Sequence, residues 1–149
     1  MGTRYKGTAE EVSALNAFIA LSRAADSALA RAFVPVAELG LTPSQFGALE
    51  ALYFCGPMCP GDLARKMMRS NGSVTSVVDG LVRRGWALRE KIPGDRRFRT
   101  LKLTARGSGL VRRAMPAHVE LIRRQFAVLT AAERETLRAL CRAVGTGSR

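Results

Sequence analysis

The sequence predicts a mainly α fold of the α+β class, on three observations. Apolar residues recur at steps of three and four over most of the chain, the spacing of one helix face. That period gives way to two in a single place, between Leu88 and Leu103, around Pro93-Gly94-Asp95, which marks one β hairpin. Thr42-x-x-Gln45 and Thr130-x-x-Glu133 are capping boxes, in which a hydroxyl and a longer side chain satisfy each other's helix-start amides. At 149 residues and 47% hydrophobic composition the chain fits one domain with a true core, residues 1–149, and a disordered protein is excluded.

The elements follow in order. Leu15, Phe18, Ile19, Ala25, Leu29, Ala32 and Phe33 form one stripe of a long helix over 10–34, which Pro35 is expected to end. A second helix is expected over about 43–54, with Pro43 at its first position, Leu41 and Phe46 as a hydrophobic staple, and Gly56-Pro57 as its stop. A short helix around 60–68 turns Leu63 and Met67 inward. After the capping residues Ser70 and Asn71, Val74, Val77, Val78, Leu81 and Val82 line one face of a fourth helix, closed by Gly85. Beyond the hairpin, Thr104 caps a helix over about 105–128 in which Pro116 forces a kink or break. A last helix runs to about Val144 with Leu137, Leu140 and Cys141 inward.

Charge narrows the function. Lys and Arg number 24 against 12 Asp and Glu, a formal net charge of +12, which suggests a polyanionic partner. The excess is local: residues 83–106 hold nine basic and two acidic side chains. A membrane surface would call for a basic amphipathic helix, whereas this stretch reads as a hairpin, so nucleic acid fits better. The N-terminus lacks the apolar core of a secretory signal and no run approaches a membrane span, so a cytoplasmic protein with no membrane partner is expected.

A short helix, a turn and a helix with a small polar outer face describe a helix-turn-helix, whose second helix enters the major groove. Ser73, Thr75 and Ser76 are the candidates for base and phosphate contact; an ordinary surface helix is the competing reading. The hairpin shifts the balance. Two strands tipped by Arg96 and Arg97 beside that helix make a winged helix, with arginine available to the minor groove. Asp95, two residues before Arg97, is placed to accept a hydrogen bond from its guanidinium and fix its orientation.

Three separated runs, LTPSQFGALEAL from Leu41, DLARKMMRSNGSVTSVVDGLVRRGW from Asp62 and DRRFRTLKLTARG from Asp95, resemble the MarR family of bacterial transcriptional regulators. The resemblance covers about residues 10–144, and its wing pattern D-x-R followed by L-T-x-x-G falls on Asp95, Arg97, Leu103, Thr104 and Gly107. It implies a homodimer on a pseudo-palindromic operator, a repressor being the expected sense. Helices 10–34 and 105–145 would dimerise, and a winged helix-turn-helix over 41–104 would bind double-stranded DNA. Matched by position, Ser73, Thr75, Ser76, Arg83, Arg84, Asp95, Arg96, Arg97 and Arg99 would form the DNA-binding set. A small-molecule effector is also implied, with Phe18, Phe46, Trp86 and His118 as candidate pocket residues; plain core is the competing reading for each.

Catalysis is not expected. His118 is the only histidine, distant in sequence from Cys55 and Cys59, and no phosphate loop, nucleophile elbow or carboxylate pair accompanies it. One histidine and two neighbouring thiols do not make a tetrahedral metal set, so neither metal nor cofactor is expected. Two alternatives stay open: a thiol-based redox regulator of the same fold through Cys55 or Cys59, against which the cysteine-free first helix weighs, and a non-specific nucleic-acid binder.

Overall fold

The computed structural model describes the backbone of residues 2–67, 71–92 and 95–148, and every side chain within them other than 71 and 91–99. In chain order the elements are helices α1 (Ala9–Ala32), α2 (Val34–Glu38), α3 (Pro43–Cys55), α4 (Pro60–Lys66) and α5 (Asn71–Arg83), strands β1 (Ala87–Ile92) and β2 (Asp95–Leu103), then α6 (Ala105–Gln125), a 3-10 turn (Phe126–Val128) and α7 (Ala131–Thr146). The chain divides into two compact lobes, residues 33–118 and residues 1–32 with 119–149.

The capping chemistry read from the sequence is present. Thr42 and Gln45 satisfy each other's amides at the start of α3, as do Thr130 and Glu133 at the start of α7. Thr8 and Glu11 do the same ahead of α1, a signal overlooked in the sequence. Both prolines expected to interrupt a helix lie within one. Pro35 does not simply end α1; it sits in the first turn of α2, where a missing N–H costs nothing. Pro116 does not break α6, which runs through it from Ala105 to Gln125.

The lobe of residues 33–118 owns the core. Val36, Phe46, Leu49, Leu63, Val74, Val78, Leu81, Leu101 and Val111, from five helices and β2, are fully buried. At about 1.5–3 kcal/mol per buried apolar side chain, these contacts outweigh anything the surface contributes. The stripe of α5 is inward as the sequence predicts, with Val74, Val78 and Leu81 buried and Val77 and Val82 half-buried. Backbone bonds between Met58 and Leu101 tie the segment before α4 to the hairpin.

The hairpin that the sequence predicts is present. The antiparallel register pairs Ala87 with Leu103, Leu88 with Lys102 and Arg89 with Leu101. Ala87 and Leu101 are buried while Leu88 is exposed, and Arg89, on the same side of β1 as Ala87, is exposed too. Leu88 shares its face with Lys102 rather than with Leu101. Gly94 and Pro93 of the hairpin turn, and Met68 and Ser70 before α5, lie outside the described residues.

The other lobe contrasts. Leu137, Leu140 and Cys141 of α7 are exposed, not inward as expected, and α7 has no buried residue. The helical period was right; nothing among the described residues covers the face. Phe18, Leu21 and Leu29 of α1 are exposed as well. Among the described residues no helix is long and apolar enough to cross a membrane.

Candidate nucleic-acid interface

The exposed face of α5 comes from its composition: with five aliphatic residues committed to the core, the remaining positions carry small polar groups. Ser73, Thr75, Ser76 and Asp79 are exposed on it, and Arg83 is exposed at its last turn. The helix packs against α3, α4 and β1, so this face is held by three neighbours while itself open.

The helix end is fixed by its backbone. Gly85 takes φ +67°, its N–H donates to the Val82 carbonyl at 2.9 Å, and the Trp86 N–H donates to Leu81 at 2.9 Å. This paired 5→2 and 6→1 closure needs a left-handed residue, hence glycine. The Arg84 guanidinium donates to the Gly40 carbonyl at 3.1 Å and lies 4.8 Å from the Trp86 ring centroid. It ties the end of α5 to the α2–α3 corner.

The L-T-x-x-G run after the hairpin has a structural explanation. The Thr104 hydroxyl lies 2.8 Å from the Gly85 carbonyl and 3.2 Å from that of Trp86, to which it donates, and it accepts the Gly107 N–H at 3.1 Å as the cap of α6. A methyl placed on Gly107 would stand 2.0 Å from the Trp86 carbonyl oxygen. Only glycine lets α6 approach the base of the wing so closely. These contacts anchor the base of the wing to the start of α6.

The wing tip carries the remaining candidates. Asp95, Arg96, Arg97 and Arg99 belong to β2, with Lys91 paired to Arg99 and Ile92 to Asp95 across an irregularity in the ladder. Their side chains lie outside the described residues, including the expected Asp95–Arg97 hydrogen bond. Lower on the hairpin, Lys102 Nζ lies 3.3 Å from Glu90 Oε1. Arg89 reaches from β1 to the Asp79 carboxylate on α5, a link between helix and wing that sequence reasoning missed.

Two of the four proposed pocket residues are in contact. Phe46 and His118 meet, ring centroids 5.0 Å apart, with Phe33 against both at 6.2 and 5.1 Å. Trp86 is buried in the core under Arg84, and Phe18 belongs to the other lobe, 66% exposed. In that lobe Val119, Ile122, Arg123, Phe126, Ala127 and Arg134 line an open depression of about 650 Å³. Both arginines there are engaged, Arg123 by Glu120 and Arg134 by the Phe126 and Leu129 carbonyls.

All three cysteines are free thiols. Cys55 and Cys141 are exposed. The Cys59 thiol donates to Asp62 Oδ2 at 3.0 Å, and that bond, followed by Arg65, holds the Asp62 carboxyl below its ordinary range. No group of three or more His, Cys, Asp or Glu side chains among the described residues is placed to hold a metal.

Residues 41–98 match the MarR family profile. A Bacillus subtilis (strain 168) relative, the uncharacterized HTH-type transcriptional regulator YkoM, is 32% identical over 93% of this chain and 91% of its own. Among solved structures, Bordetella bronchiseptica BpsR, described for regulation of its DNA binding by 6-hydroxynicotinic acid, is 26% identical with a TM-score of 0.77, covering 87% of this chain and 98% of that one. A mutant of MarR from E. coli complexed with operator DNA shares the fold at 24% identity and a TM-score of 0.79, covering 93% and 99%.

Proposed function

Because the chain belongs to the MarR family of transcriptional regulators, we propose that it binds an operator as a homodimer through α5 and the β1–β2 wing, repressing transcription until a small molecule releases it. The observation that carries this reading is the juxtaposition at the base of the wing. An open face of small polar side chains, Ser73, Thr75 and Ser76, is packed beside a hairpin whose outer part bears Arg96, Arg97 and Arg99. A helix of that composition suits base edges in the major groove, and arginines beside it suit phosphate and the minor groove. The E. coli MarR mutant that shares this fold is complexed with operator DNA.

Dimerisation is supported by the uncovered apolar side chains of α1 and α7, which a second copy would bury. Effector control is supported by BpsR; two half-sites lie about 34–36 Å apart, so a ligand that alters the separation of two copies of α5 loses one half-site's contacts. Arg83, with Asp95 supporting Arg97, completes the proposed contact set.

The test is Arg97→Ala against duplexes from the chain's own promoter, with an unrelated duplex as competitor. The expected loss is about 1–3 kcal/mol of binding, with Ser76→Ala changing preference among related duplexes. Equal binding to the unrelated duplex would favour the non-specific reading instead.

A further inference from the structure

We propose that Asp79 and Arg89 form a positioning pair that sets the direction in which the wing leaves α5, so that helix and wing reach one duplex together. The inference rests on the DNA-binding reading above and extends it to residues that touch no DNA.

Each group is awkward alone. Arg89 is an exposed residue of β1 on the same side as buried Ala87 and opposite buried Leu101, and its side chain, 33% exposed, would be left partly desolvated without a partner. Asp79 lies one turn beyond Thr75 and Ser76, on the face proposed to meet DNA, where an unpaired carboxylate would repel phosphate. Their ion pair removes both penalties and spans the two elements. Glu90 and Lys102 supply an internal control: this pair is also partly exposed, but it closes within the hairpin and never reaches α5.

Exposure limits the size of the effect. With side chains 33% and 50% exposed, the pair can bias the wing's direction by no more than about fivefold in population, and affinity follows population. The sign is the informative part. Asp79→Asn removes a negative charge from the DNA-facing helix, so charge alone predicts tighter binding, whereas loss of positioning predicts weaker binding.

The experiment measures binding of promoter duplex by fluorescence anisotropy across a salt series for the full chain, D79N, E90Q, D79R and the swapped double variant D79R/R89D. The expected result is an affinity loss of about fivefold in D79N with the salt slope unchanged, no loss in E90Q, and recovery in the swap. Circular dichroism melting checks that each variant is folded, and D79R alone, which adds the same positive charge to α5 without a partner on β1, is expected to stay weak, so that recovery only in the swap reports positioning rather than charge. The proposal is overturned if D79N binds as tightly as the parent or tighter, or if the swap fails to recover binding. A parent chain that ignores every duplex would instead overturn the DNA-binding reading, taking this one with it.

Discussion

Phe46 and Phe18 both sit on apolar stripes at helical spacing, yet Phe46 is fully buried and Phe18 is 66% exposed. The lobe of residues 33–118 closes its core with its own elements: α3 alone contributes five buried residues in 13. In the lobe of residues 1–32 and 119–149, α7 contributes none in 16. The same periodicity therefore has two outcomes. Where the chain folds back on a stripe it becomes core, and where no described residue covers it the stripe remains a surface.

The sharpest way to break this contrast is Phe46→Ala, expected to lower unfolding free energy by about 3–5 kcal/mol in guanidinium titration. Phe18→Ala, in protein dilute enough to be single subunits, is expected to change it by no more than about 0.5 kcal/mol. Equal costs would show that the lobes do not differ as described. Next in size, Leu140→Glu is expected to weaken self-association by roughly a hundredfold, since a symmetric interface suffers the change twice. Sedimentation velocity reads this directly, and an unchanged sedimentation profile would remove the second copy from the account.

A smaller effect sharpens the comparison at matched chemistry. Thr42→Ala and Thr130→Ala each remove a capping-box hydroxyl, at a cost of about 1 kcal/mol to the helix. Hydrogen exchange should show the loss spread through the lobe of α3 but confined to the first turns of α7, where no core couples the helix to its neighbours. The smallest expected effect is a pH dependence. Hydrogen bonds from Arg123 and then Arg124 hold Glu120 at about 2, below its ordinary 4.5. A carboxyl depressed in the folded state stabilises above its unfolded value and loses that contribution as pH falls through the folded one. A carboxyl titration by NMR should place the midpoint near 2, and Glu120→Gln should flatten the stability profile between about 4.5 and 2.

Much of the architecture was legible because its signals are local. The capping residues Thr42 and Thr130, the stripe of α5 and the glycine that closes it all act within a few residues of themselves. Which face of the hairpin turns inward was not legible, because register is decided by the partner strand, which puts Lys102 opposite Leu88. Arg89 was legible only as one of nine bases; its pairing with Asp79 is a contact between two elements. The bond from Arg84 to the Gly40 carbonyl, distant in sequence, was not legible either.

By itself the sequence determined the helices and their caps, the single hairpin, the concentration of charge on it and the family resemblance, all of which depend on short-range spacing. Only the tertiary structure decided which stripes are core and which stay open, and which arginines of the basic stretch are tied to other elements of the protein. The reason is that burial and ion pairing are properties of what a side chain meets, and that partner is supplied by a distant part of the chain or by none of it.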